Sequence, residues 1–84
     1  MQTAYYIDNN RVMTGNVEVF HSDSNGQRYA FEMNDTLISL GDSELSSLKK
    51  GDKVTVTGPS SFNNSGVIGA PSYIMDNPKL EKDS

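Results

Sequence analysis

Apolar and polar residues alternate along most of this chain, and the rhythm changes once. From Arg11 to His21, the residues Met13, Gly15, Val17, Val19 and His21 share one side, and Val12, Thr14, Asn16, Glu18 and Phe20 share the other. A period of two marks a strand. Gly15, in the middle, predicts a bulge or bend. A second strand is expected over Gln27–Met33, with Tyr29, Phe31 and Met33 alternating with Arg28, Ala30 and Glu32. A third follows over Thr36–Leu40 and a fourth over Asp52–Gly58, where Val54 and Val56 point in and Thr55 and Thr57 point out. A fifth runs from Val67-Ile68 to Tyr73-Ile74-Met75, interrupted by Gly69-Ala70-Pro71. Tyr5-Tyr6-Ile7 is a short additional candidate.

The change of rhythm falls at residues 41–51, which read as one short helix. Leu45 and Leu48 form a single apolar ridge, Asp42 or Ser43 can cap the first turn, and Lys49 and Lys50 suit the negative C-terminal end. So short a helix is unstable alone and must dock on the sheet. Asn25-Gly26 carries the strongest hairpin signal, and Asn34-Asp35 marks a second turn. Residues 59–66 read as a polar loop carrying one aromatic, Phe62. The expected architecture is mainly β: a small Greek-key barrel of five to six strands with one short helix between strands three and four. Residues 1–75 form this single domain, and residues 76–84 read as a polar flexible tail with one apolar residue.

This order of elements resembles the OB-fold. Leu48-Lys49-Lys50-Gly51-Asp52-Lys53-Val54-Thr55-Val56-Thr57-Gly58 is similar to the L-K-x-G-D-x-V-x-V-x-G passage of anticodon-binding-type and bacterial OB domains, and Thr14-Gly15-Asn16-Val17-Glu18-Val19 is similar to their first strand. The physical content of that motif is folding: glycine turns the chain, aspartate caps the turn, and alternating valines enter the core. The same handover occurs in other small barrels, SH3-like ones included.

Composition limits the rest. In 84 residues, 35% apolar and 8% aromatic, the core is thin; surface scaling leaves about 63% of the unfolded surface buried. That excludes a second domain and a large enclosed cofactor cavity. No cysteine is present, so disulfides, thiolate metal sites and cysteine nucleophiles are excluded. No apolar run approaches the ~20 residues of a membrane helix. Met1–Tyr6 lack the basic and apolar regions of a signal peptide. The chain is therefore expected in the cytoplasm, with the periplasm as the alternative. The formal charge of −4 argues against strong nonspecific binding to DNA or to anionic membranes.

For catalysis the residues offer little: one histidine, no cysteine, no glycine-rich phosphate loop, and acids placed in turns or on solvent faces. His21 and the methionines are similar to the donors of periplasmic copper-binding OB proteins, but tryptophan is absent, and Met13, Met33 and Met75 fit the core. No metal or cofactor is expected, and Asp23–Gly26 is a turn without calcium-loop spacing. The OB resemblance implies binding through strands two and three and the loops joining strands one–two and four–five. On that surface Phe62 and Phe20 are candidate stacking platforms, Arg28 a candidate cation, and Asn25, Asn63 and Asn64 candidate polar contacts. Each has a plainer reading: the aromatics cover a barrel end, Arg28 pairs with Glu32, and Lys49, Lys50 and Lys53 serve solubility. The expectation is a non-enzymatic binding module with a protein partner. The alternative, from the resemblance, is single-stranded DNA or RNA.

Overall fold

The computed structural model describes residues 10–83; the Tyr5–Ile7 strand candidate lies outside them. The seven described strands are β1 (Asn10–Asn16), β2 (Val19–Ser22), β3 (Arg28–Met33), β4 (Thr36–Ser39), β5 (Lys53–Phe62), β6 (Tyr73–Asp76) and β7 (Lys79–Lys82), with one helix, α1 (Asp42–Leu45), between β4 and β5. They form a curled sheet, a half-barrel, in the order β1-β5-β6-β4-β3-β2, with β7 also on β5. All neighbours are antiparallel except β4 and β6.

The two ends of that order are consecutive in the chain. Only Val17 and Glu18 separate β1 from β2. The Val17 amide donates to the Asp52 carbonyl on the β5 side (2.9 Å), and the Glu18 amide donates to the Glu32 carbonyl on β3 (2.9 Å). Adjacent amides thus bind opposite ends of the sheet. The switch also shifts the alternation. Val17 is buried and Phe20 packs on the core, while Val19, expected inside, is 44% exposed on the outer face. The bend falls two residues after Gly15. Gly15 instead permits a close approach: a Cβ there would sit 2.8 Å from the Asn34 side-chain amide, which donates to the Thr14 carbonyl.

The core gathers Val17, Phe31, Met33, Ile38, Leu40, Val54, Val56 and Met75 from the strands with Leu45 and Leu48. The expected leucine ridge docks as the pattern implied. The helix itself is shorter, four residues, and no side chain caps its N-terminus. Nor do Lys49 and Lys50 stand in its last turn. The end of the helix and the turn after it are met from outside: Arg28 Nη1 donates to the carbonyls of Leu45 (3.3 Å), the last helical residue, and of Leu48 (3.0 Å).

The two turns divide differently from expectation. Asn34 and Asp35 both take positive φ and close the two-residue hairpin between β3 and β4, the backbone that matches strand twist. At Asn25-Gly26 only Gly26 is left-handed. That loop is organised by Asp23, whose carboxylate accepts the Asn25 and Gln27 amides.

The chain end departs most. Residues 79–82, read as part of a flexible tail, are β7, and Leu80 packs against the core. Ser60 faces Met75 and Thr57 faces Lys79 on β5. Two residues on β5 therefore span three on the other side, so β6 and β7 are halves of one strand broken by a bulge at Asn77-Pro78. One apolar residue among charges looked too weak for a strand, but β5 offered a free edge. Asp52 ties the end down: its carboxylate accepts the Lys49 amide (2.9 Å) and pairs with Lys82 (3.3 Å). These contacts, the Lys49 amide foremost, hold its pKa below the ordinary carboxylate value.

Leu45→Ala should cost about 2–5 kcal/mol in urea unfolding, as a fully buried leucine. For Asp52, a lowered folded-state pKa means that its contribution is present above the ordinary carboxyl range and is lost as pH falls through the lowered value. Wild type and Asp52→Asn should therefore differ most above about pH 5 and converge on acidification, as followed by urea unfolding across pH.

Candidate functional site

The outer face of β2, β3 and β4 is set by register. Val19, Glu32 and Leu37 lie in one row across the strands, and His21, Ala30 and Ser39 lie in the next. A β-bulge interrupts the second row. His21 faces Ala30 but Ser22 faces Arg28, so Tyr29 is the extra residue. A bulge re-aims its neighbours. Arg28 leaves the face shared by Ala30 and Glu32 and turns to α1, with its guanidinium 3.8 Å from the Phe20 ring centroid. Tyr29 joins the outer face, 49% exposed, with its ring 6.3 Å from that of His21.

With Arg28 diverted, Glu32 takes a different partner. Its Oε2 lies 2.6 Å from His21 Nε2, and both side chains remain partly open to solvent. The plain expectation of an Arg28–Glu32 pair is replaced by His21–Glu32.

The loop over residues 63–72 stands beside this face. Asn63 holds its base: the side-chain amide donates to the Pro71 carbonyl (2.9 Å), its carboxamide oxygen accepts the Ser65 amide (3.2 Å), and its backbone amide donates to Ser72. Asp35 receives the backbone amides of Ser72 and Tyr73. The loop's apolar tip is exposed, Val67 by 65% and Ile68 by 99%. Val67-Ile68 belong to this loop and not to the expected fifth strand, because Gly69-Ala70-Pro71 cannot continue a ladder.

Two clefts flank the loop. One, of about 330 Å³, lies between the sheet face and the loop, against His21, Tyr29, Glu32, Leu37, Val67 and Pro71. The other, of about 480 Å³, lies within the loop against Phe62, Asn63, Asn64 and Tyr73. Among the described residues, neither lining contains lysine or arginine. At the edge of the second cleft the Phe62 and Tyr73 rings are 5.4 Å apart, and the Arg11 guanidinium lies 4.7 Å from the Tyr73 centroid.

Of the residues singled out in the sequence, Phe62, Asn63 and Asn64 are brought together here. Arg28 and Phe20 meet at α1 and line neither cleft, and Asn25 lies at the tip of the β2–β3 turn. Tyr29, His21, Glu32 and Val67 were missed as a group. The alternation puts His21 on the side of Val17, and Tyr29 on the side of Phe31 and Met33, which are buried, and the strand switch and the bulge that turn His21 and Tyr29 outward leave no sequence mark. Among the described residues, no three His, Cys, Asp or Glu side chains are grouped to hold a metal ion, and no helix is long and apolar enough to cross a membrane. Comparison with protein-family models, curated proteins and solved structures finds no match for the chain.

Arg28→Ala should cost about 1–3 kcal/mol in chemical denaturation, from lost charge-assisted bonds to two carbonyls and from the cation lost over Phe20.

Proposed function

We propose that this protein is a non-enzymatic, OB-like binding module that takes a protein partner on the β2–β4 face and the 63–72 loop, acting as an accessory or inhibitor protein. The observation that carries this reading is the exposed apolar set Tyr29, Val67 and Ile68 beside clefts whose described linings hold no lysine or arginine. Protein interfaces favour aromatic and aliphatic anchors within a polar rim; Asn63, Asn64 and Ser65 supply such a rim. The OB-like reading is supported by the strand order: a first strand bent to serve both ends of the sheet, and a helix between β4 and β5.

A second reading is single-stranded nucleic acid. The Phe62–Tyr73 ring pair with Arg11 nearby favours it, since bases stack on aromatics beside cations. Against it stands the phosphate backbone, which rewards several converging cations; among the described residues, Arg11 is the one cation placed at that ring pair, and the cleft lining adds no lysine or arginine.

In affinity isolation from the native host, the full chain should retain a stoichiometric partner at raised salt. The Val67→Asp/Ile68→Asp variant should bind it at least about tenfold more weakly, roughly 1.4 kcal/mol. Unchanged binding by the variant defeats this reading. An oligothymidylate titration at low salt should show no saturable binding; saturable, steeply salt-dependent binding that Phe62→Ala removes would establish the second reading instead.

A further inference from the structure

We infer that the cleft of about 330 Å³ between the β2–β4 face and the 63–72 loop receives an arginine side chain of the protein partner, with Glu32 as its counter-ion. The inference rests on the protein-binding reading above. Its basis is the mismatch between the cleft's walls and its floor. Leu37, Val67, Ala70 and Pro71 give apolar walls, and Tyr29 gives an aromatic one. Among the described residues, Glu32 is the one carboxylate in the lining, and no lysine or arginine lines the cleft to neutralise it.

The carboxylate is only half used. Oε2 accepts from His21 Nε2, whereas no hydrogen bond reaches Oε1 among the described residues. Among the described residues no buried side-chain polar atom lacks a partner, and the Glu32 side chain is 24% exposed. Oε1 is therefore an acceptor that opens to solvent in a cleft whose other polar side chains, His21, Asn63 and Ser65, carry no fixed charge. His21 fixes its direction, so a binding cation meets a positioned group.

The complement of such a cleft is a long apolar stem carrying a cationic head. Lysine and arginine both have that shape. Arginine fits better, because its planar head can lie on the Tyr29 ring while donating to Oε1. A phosphate, a carboxylate ligand or a nucleic-acid backbone would meet like charge at the same point. The chain's formal charge of −4 favours approach of a basic segment in general, and Glu32 converts that bias into a specific contact.

The test uses the full chain, labelled with nitrogen-15, and two small probes. Nα-acetyl-L-arginine N-methylamide should shift the amide resonances of Tyr29, Glu32 and Val67 in a saturable way. The matched citrulline amide, equal in length but neutral, should shift them little. Glu32→Gln keeps the side-chain shape and an oxygen for His21, and should weaken the arginine probe about tenfold, or 1.4 kcal/mol. Equal responses to the two probes overturn the inference. So does full affinity in Glu32→Gln, and so do shifts confined to Glu81 and Asp83. If the arginine probe gives no response while Val67→Asp/Ile68→Asp still loses the host partner, the counter-ion assignment falls and the protein-binding reading stands. If that variant keeps the partner, the reading falls and this inference with it.

Discussion

Two adjacent amides govern this molecule. Val17 donates to the β5 side of the sheet and Glu18 to β3, so one run of chain must satisfy both ends of the sheet at once. That is possible only if the sheet curls until its ends meet around residues 17 and 18. Curling brings the inner faces of β1, β3, β4, β5 and β6 around one apolar volume, which Leu45 and Leu48 fill from below. For a chain this short, the curl matters energetically. An open sheet of the same strands would leave more backbone edge and more apolar surface in water.

The outer face follows from the same constraint. The switch turns Val19 outward, and the bulge at Tyr29 turns Arg28 away. The result is a division of labour between neighbours in sequence. Arg28 stabilises the end of α1 and is withdrawn from solvent chemistry, whereas Tyr29 is released to the surface. Glu32, deprived of the arginine four residues back, is positioned by His21. The shape of this face thus depends on two irregularities in otherwise regular strands, since a bulge re-aims the side chains beside it.

What the sequence made legible was whatever depends on local pattern. Val54 and Val56 alternate inward because β5 is flanked on both sides, so its neighbours impose a plain period of two. Leu45 and Leu48 could be placed because no other apolar residues lie near them. Residues 59–62 read as the start of a polar loop, but they continue β5, and Phe62 is its last residue, opposite Tyr73. The remainder depends on partners distant in the chain. Whether Lys79–Lys82 is a strand is decided by the free edge of β5 more than twenty residues earlier, not by its own composition. Whether Val19 or Phe20 faces inward is decided by where the strand changes partner. Whether Arg28 serves a ligand or a helix is decided by one extra residue at Tyr29. Periodicity carries no record of such phase slips, and the helix, capped by Arg28 from another element, ends earlier than its own residues suggest.

The most direct examination of this account is a measurement of through-hydrogen-bond scalar couplings in the doubly labelled protein. Closure through residues 17 and 18 predicts one coupling from the Val17 amide to the Asp52 carbonyl and another from the Glu18 amide to the Glu32 carbonyl, both in the same molecule. Detecting only one of them, or finding either amide in free exchange with water while the rest of the sheet is protected, would mean an open sheet. The geometry assigned to the outer face would then have no foundation.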